Sequence, residues 1–353
     1  MRILILVNWK VKKCGEIPEN IQAPDYIVPN EKYWFFRYFT EDTQVDVIDI
    51  SSFRFWEKFE RNKLHFYIVQ PIKALFRIKK YDIVLSHGMP SGIVLALFRK
   101  LFKTRAKHIV FDIGSFNSAA ETGKILKLNQ FASKSIDGII YHSSNQIEYY
   151  KKFYPWMVNK SKFIPFGTDL EYFSRYELNN IKSEKYILTV GYKMRDIKTL
   201  LNAFRNIKTN FKLRIIGSDN IECDDERVQC MAPISKKELN YQIQQADFCI
   251  LPLIEKNYSY GQMTLLQQMY YGKAVITANV TSMRDYVENN NTAILYEQQD
   301  VEDLQRKIEI LIMDKKLKKK IGSNARNSVI NKYNDKNMAK EIEKFIGVDL
   351  WKK

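Results

Sequence analysis

Residues 251–276 read LPLIEKNYSYGQMTLLQQMYYGKAVI, and they carry three signals in a fixed order. The apolar run Phe248–Leu251 enters as a short buried strand, followed by a polar loop holding Ser259, Gly261 and Gln262. A helical pattern begins near Met263, and Gly272 stops it before the next apolar run, Ala274–Ile276. Glycine at 261 lets the backbone approach a ligand closely. The first turn of the following helix presents unpaired N–H groups at the positive end of its dipole. A phosphate or diphosphate is the natural occupant of such a turn, and Thr264 and Gln267 stand ready on the first turns to hydrogen-bond hydroxyl groups.

The same alternation runs outward through the chain. Strands are predicted at Ile3–Val7, Val45–Ile48, Ile83–Leu85, His108–Phe111, Gly138–Tyr141 and Lys162–Ile164. A second series follows at Tyr186–Val190, Leu213–Ile216, Phe248–Leu251, Ala274–Ile276 and Ala293–Leu295. Helical periodicity fills the gaps, as at Ile197–Ile207, Lys236–Gln244, Val301–Met313 and Lys315–Lys332. Continuous hydrophobic strands alternating with helices imply parallel sheets covered on both faces. The series resets in the polar, turn-rich segment Phe166–Ser183, so 353 residues resolve into two doubly wound α/β domains at 1–170 and 171–330. Residues 331–353 form a terminal helix that can cross back to the first domain. Ligands of doubly wound sheets bind beyond the carboxyl ends of the strands, which sends the search for chemistry to the loops there.

The run Gln267-Gln268-Met269-Tyr270-Tyr271-Gly272-Lys273-Ala274-Val275-Ile276 resembles the nucleotide-sugar site of the retaining glycosyltransferases of family 4, the glycosyltransferase group 1 type. In that family a glutamate precedes a Glu-Ala-Met segment by eight positions, and Gly-Lys-Pro-Val-Ile closes the motif. Here the first glutamate falls on Ser259 and the second, which binds ribose hydroxyls, on Gln267. A glutamine still bonds a diol, without the charge-assisted strength of a carboxylate. The run Ile187–Asp196 resembles the loop that opens the family's donor domain, with Lys193 and Arg195 at the positions of its diphosphate-binding basic pair. Lys162–Asp169 (KFIPFGTD) resembles the family's interdomain segment. The resemblance implies the GT-B fold, two Rossmann-like domains facing each other across a cleft.

It also implies a division of labour. The C-terminal domain would hold the donor through Lys193, Arg195, Ser259, the Gly261-Gln262-Met263-Thr264 backbone and Gln267, with base contacts near Met231, Ala232 and Pro233. A UDP-sugar is expected over a GDP-sugar, with no cofactor and no metal, because cations and a helix dipole can meet the leaving diphosphate. Closure about Phe166–Ser183 would exclude water. In the N-terminal domain, Gly15 is the one glycine in the loop after the first strand and the candidate for approach to the donor phosphates. Asp112 ends a strand where many relatives place a catalytic-site histidine, and a carboxylate there could orient a hydroxyl, act as a base, or cap the next segment. His87 and His142 are candidates for the acceptor side.

Charge gives the remaining signal. Lys and Arg number 56 against 40 Asp and Glu, a net of +16, and residues 51–107 hold thirteen basic and three acidic side chains. Residues 53–80 (FRFWEKFERNKLHFYIVQPIKALFRIKK) and 98–107 interleave aromatics with cations, the pattern of segments that adhere to anionic bilayers. No RNP-like, KH-like or zinc pattern accompanies them, so nucleic acid is not the expected partner. Lys315–Lys320 (KKLKKK) reads as a solvated helix face. Cys14, Cys223, Cys230 and Cys249 form no CxxC pair and read as reduced thiols. The short apolar start, Ile3–Val7, reads as a strand of an uncleaved cytoplasmic chain, peripheral on the inner face of the cell membrane. The expected function is metal-independent, retaining transfer of a sugar from a nucleotide diphosphate to a lipid-linked or envelope-glycan acceptor. The alternatives are a nucleotide-sugar epimerase on the same fold and a non-catalytic sugar-nucleotide-binding partner subunit.

Overall fold

The computed structural model describes residues 1–349 apart from 103, 115–120, 180–183 and 192. The chain divides into two compact units. The first comprises Met1–Pro165 with Asn257–Tyr260 and Asp335–Lys353; the second comprises Phe166–Lys256 and Gly261–Asn334.

The first unit is built on β1 (Arg2–Val7), β4 (Gln44–Ile48), β5 (Ile83–His87), β6 (Lys107–Asp112), β7 (Gly138–Tyr141) and β8 (Ser161–Phe163). They pair in parallel in the order β4-β1-β5-β6-β7-β8. Ile3 to Val7 and all of β5 are buried, because helices cover both faces of the sheet. The loop after β1 holds a short parallel pair, β2 (Lys12–Lys13) and β3 (Tyr26–Ile27). The strand order reverses direction between β1 and β5, so the loops beyond their carboxyl ends form this unit's switch point.

The second unit carries β9 (Tyr186–Val190), β10 (Lys212–Ile216), β11 (Val228–Met231), β12 (Phe248–Leu251), β13 (Val275–Ala278) and β14 (Ile294–Tyr296). Their order, β11-β10-β9-β12-β13-β14, reads 3-2-1-4-5-6 and reverses between β9 and β12. Helices start where the sequence places caps. Asp196 accepts from Thr199 N, Ser235 from Glu238 N, and Asp300 from Asp303 N, each serving an orphan amide of the first turn.

The α/β fold of two parallel sheets matches the sequence reading, with strand ends shifted by at most two residues. Three strands escape that reading, the two-residue β2 and β3 and the longer β11. β11, Val-Gln-Cys-Met, is half-buried along its length and pairs only with β10, so an edge position leaves no apolar run to see. Phe166–Ser183 is also more structured than its composition suggests. The Phe166 amide donates to the Tyr286 hydroxyl (2.8 Å) and the Thr168 amide to Tyr333 O (3.1 Å). Asp169 then caps the helix Leu170–Ser174, whose Tyr172 and Phe173 are buried. Residues 166–179 are thus packed into the second unit; 180–183 lie outside the described residues.

The helix Asp335–Lys344 groups with the first unit. There Glu343 accepts from the amides of Thr40 (2.7 Å) and Glu41 (2.9 Å), and Glu341 pairs with Lys162 (3.2 Å). Along Lys315–Lys320, Lys318 departs from the solvated face and forms an ion pair with Asp247.

Candidate functional site

The reversal between β9 and β12 brings together most of the residues singled out in the second unit. β9 ends at Val190, and Gly191 follows at φ +90°. A β carbon on Gly191 would stand 3.1 Å from Arg195 Nη2, so the guanidinium lies against the bare backbone. Arg195 Nε donates to Val190 O (3.2 Å), and Arg195 forms an antiparallel bridge with Leu253, just beyond β12. The Asp196 amide donates to Pro252 O (3.0 Å). These bonds fasten the loop after β9 to the loop after β12. Lys193 is exposed in the turn between, next to Met194 at φ +60°. Tyr192 lies outside the described residues.

Gly261 also meets Leu253, at its side chain. It is the N-cap of the helix Gln262–Tyr270 at φ +85°, and a β carbon on it would meet Leu253 Cδ1 at 3.0 Å. Glycine is required here both for the left-handed backbone and for the contact. No side chain caps this helix, so its first-turn amides remain for a ligand. Gln262, at its first position, is 4% exposed, and its Nε2 is buried with no hydrogen-bond partner. A buried amide without a partner costs on the order of 1–3 kcal/mol, which an anionic or hydroxylated ligand would recover. Thr264 is half-buried and Met263 exposed. Gln267 lies on the same helix, and its Nε2 donates to Asn240 Oδ1 (2.7 Å), leaving Oε1 as the acceptor available to a hydroxyl.

Other expectations fare differently. Asn257–Tyr260, with Ser259, groups with the first unit and apart from Gly261. Met231 is the last residue of β11 rather than a loop residue, with its carbonyl taking the Gly217 amide (2.9 Å); Ala232 and Pro233 beyond it are exposed. Lys273, in the Gly-Lys portion of the motif, is tied to the backbone of a neighbouring helix. It is buried, its Nζ donates to Gln244 O (2.5 Å) and Ala246 O (2.7 Å), and burial lowers its pKa. It closes the carboxyl end of the helix Lys236–Gln245.

In the first unit the switch point lies where β1 and β5 end. Gly88, at φ +106°, packs so tightly on Asn8 that a β carbon would stand 2.4 Å from Asn8 Nδ2. His87 ends β5 inside an aromatic cluster, edge-on to Trp9 (4.7 Å), tilted to Trp34 (5.5 Å) and stacked on Phe111 (5.4 Å). Phe111 in turn stacks on His142 (6.1 Å), so the two histidines named from sequence join one row across β5, β6 and β7. Burial, with mutual repulsion second, pushes the His87 pKa down to about 3. Burial takes His142 to about 4, and its Nδ1 donates to Ile164 O (2.6 Å). Trp9 and Trp34 were missed from sequence because nothing local to either marks it as adjacent to a residue more than fifty positions away.

Asp112 ends β6 inside the first unit. It is fully buried, with Oδ1 accepting from the Gly114 amide (3.0 Å) and Oδ2 from the Tyr150 hydroxyl (2.6 Å) and Gln146 Nε2 (3.2 Å). The bond to Gly114 is the local cap weighed for it from sequence. Gly114, at φ +111°, lies under Tyr258, where a β carbon would meet the ring at 2.7 Å. Gly15 is exposed, and a β carbon there would meet nothing within 4 Å, so the fold does not demand glycine at that position.

Two parallel doubly wound sheets, each reversing at a switch point, make the GT-B fold, and the second unit adds a glycine-led, uncapped helix N-terminus and an arginine at its switch point. Residues 173–328, within the second unit, match the family model described as glycosyl transferases group 1. A curated relative, the capsular polysaccharide biosynthesis glycosyltransferase CapM of Staphylococcus aureus, is 27% identical over 201 residues. That match takes in 48% of this chain and 50% of the relative, so the chain spans about half the length of the curated relative it matches. Among solved structures, sucrose-phosphate synthase of Thermosynechococcus elongatus is 17% identical with a TM-score of 0.67, over 98% of both chains. HepE of Anabaena, solved in complex with UDP, is 14% identical with a TM-score of 0.66, over 98% of this chain and 100% of that one. At these identities the structural likeness shows the fold.

Proposed function

We propose that this chain is a retaining glycosyltransferase that takes a sugar from a nucleoside diphosphate donor, UDP in preference to GDP. It would deliver the sugar to a lipid-linked or envelope-glycan acceptor at an anionic membrane surface. One observation carries the reading. The second unit has Arg195 bridged to Leu253 through its backbone with its guanidinium against Gly191, an uncapped helix N-terminus at Gly261 against the Leu253 side chain, and the buried, unpartnered amide of Gln262. All three complement a diphosphate. The UDP held by HepE and the capsular role named for CapM support the donor and acceptor classes.

As the glycosidic bond breaks, negative charge grows on the leaving diphosphate. Arg195, helped by exposed Lys193, and the amides after Gly261 can meet that charge without a divalent ion. Gln267 would hold the ribose through Oε1. Asp112 is assigned a positioning role: it holds Gly114 and Tyr150 in place and takes no proton in the reaction. The exposed Phe53, Phe55 and Trp56, with the cations between them, support adhesion to the membrane. Among the described residues no helix is long and apolar enough to cross it.

The test is a thermal-shift panel of UDP-, GDP- and ADP-sugars, followed by transfer assays on lipid-linked acceptors. A donor at 100 times its Kd should add about 2.7 kcal/mol of stability. Arg195→Ala should lower kcat/KM by roughly 10²–10³ with the fold intact, the loss seen when one donor to a developing anion is removed. Full transfer by that variant sinks the reading, and donor sugar altered without any acceptor marks an epimerase instead. The product's anomeric proton coupling decides whether configuration is retained.

A further inference from the structure

A cavity of the first unit lies beside the amino ends of β5 and β6, away from the strand-end site of that unit. It is a groove of about 660 Å³, floored by Ile78 and Ala106 at the edge of the core and walled by Ile72, Leu75, Phe76 and Phe102. Phe76 is 87% and Phe102 60% exposed, a cost that a soluble surface does not ordinarily carry for two phenylalanines in one groove. The volume falls in the ordinary range of small-molecule sites. The groove's surroundings are one-sided in charge. Residues 69–81 and 97–107, which supply all its walls, contain nine Lys and Arg and no Asp or Glu. Lys79 and Arg105 line the groove itself and are exposed. The Tyr81 hydroxyl, also in its lining, donates to Asp46 (2.5 Å), which occupies that carboxylate.

We propose that this groove binds one anionic phospholipid drawn from the bilayer, a hydrocarbon chain lying along Ile72, Phe76 and Phe102 and the phosphate held by Lys79 and Arg105. The apolar floor selects a chain, and the unopposed cations select a negative headgroup. The proposal deepens the membrane reading above. It turns diffuse adhesion of a basic surface into a discrete site of one-to-one stoichiometry, separate from the donor site.

The full chain is titrated with dihexanoyl phosphatidylglycerol below its micelle concentration, followed by native mass spectrometry and calorimetry. Dihexanoyl phosphatidylcholine and inorganic phosphate serve as the uncharged-headgroup and chain-free arms. One phosphatidylglycerol should bind per chain, at least about tenfold tighter than either control. Lys79→Ala/Arg105→Ala should weaken it about thirtyfold, two cations at the strength each contributes near a membrane surface. Ile72→Glu, at a half-open wall position, should abolish binding while leaving the circular dichroism unchanged. Lys58→Ala/Lys63→Ala, outside the groove, should reduce sedimentation with phosphatidylglycerol vesicles yet leave the short-chain lipid bound. Absence of one-to-one binding, equal binding of phosphate, or indifference to Lys79 and Arg105 overturns the proposal. So does a dimer in solution that Ile72→Glu dissociates, since a second copy would then cover the groove. No nucleotide sugar is present in these measurements, so a failure here leaves the transferase reading intact, and thermal shifts with donor test that reading separately.

Discussion

Gln267 shows how a departure from a family pattern is absorbed locally. Its Nε2 donates to Asn240 Oδ1, while Asn240 Nδ2, in a fully buried side chain, has no partner. Turning the Asn240 amide over would present that nitrogen to residue 267. Gln267→Glu should therefore be accommodated, changing stability by less than about 1 kcal/mol, and a charge-assisted bond to the ribose should lower the donor KM about tenfold. Donor titrations and denaturation of the two forms check this; a large loss of stability without tighter donor binding would refute it. Burial shows where other charges go. Asp112 and Lys273 are both buried and hydrogen-bonded to the surrounding frame. A one-dimensional string shows that a carboxylate ends a strand, and not that Tyr150 and Gln146 will close over it.

Helix packing explains the glycine at the end of the donor motif. Gly272 terminates the helix Gln262–Tyr270 at φ +67°, and the helix Lys315–Asn331 crosses it at Gly322. A β carbon on Gly322 would stand 2.1 Å from Gly272 O, against backbone that cannot yield as a side chain would. Gly322→Ala should cost about 2–3 kcal/mol by forcing the two helices apart. It should also weaken donor binding, because the displaced helix is the one whose N-terminus is proposed to meet the diphosphate. Urea denaturation and donor titration of the variant measure both effects, and a change below about 0.5 kcal/mol would contradict the packing argument. Gly272 was legible in the sequence as a helix stop. Its partner at 322, fifty residues on in a lysine-rich helix, was not, since only the crossing gives it a reason. The edge strand β11 was hidden for a related cause: one neighbour and half-burial leave no hydrophobic run.

The two units should respond differently to acid. His87, His108 and His142 are all buried in the first unit, and the second contains no histidine. Burial holds His87 near 3, His142 near 4 and His108 well below the ordinary value of 6.5. Between roughly pH 4 and 6.5 the unfolded first unit binds protons that the folded unit refuses, so its stability falls as pH drops through that window. Each histidine contributes on the order of 1.4 kcal/mol per pH unit there. Calorimetry at pH 7 and pH 5 should show the first unit's transition moving to lower temperature, and donor should shift a different transition. His87→Asn should flatten the dependence, and a pH-insensitive first unit would count against neutral, buried imidazoles.

The α/β class, the strand-and-helix rhythm and the glycine-led turn into the helix Gln262–Tyr270 follow from the order of residues, because periodicity and turn chemistry act over a few positions of chain. The strand order, with its reversals at β1/β5 and β9/β12, belongs to the folded molecule. So do the contact of Arg195 and Gly261 through Leu253, the row from His87 to His142, and the cation-rimmed groove. Each of these joins residues distant along the chain, and the burial that draws them together is a property of the whole surface removed from water rather than of any local run.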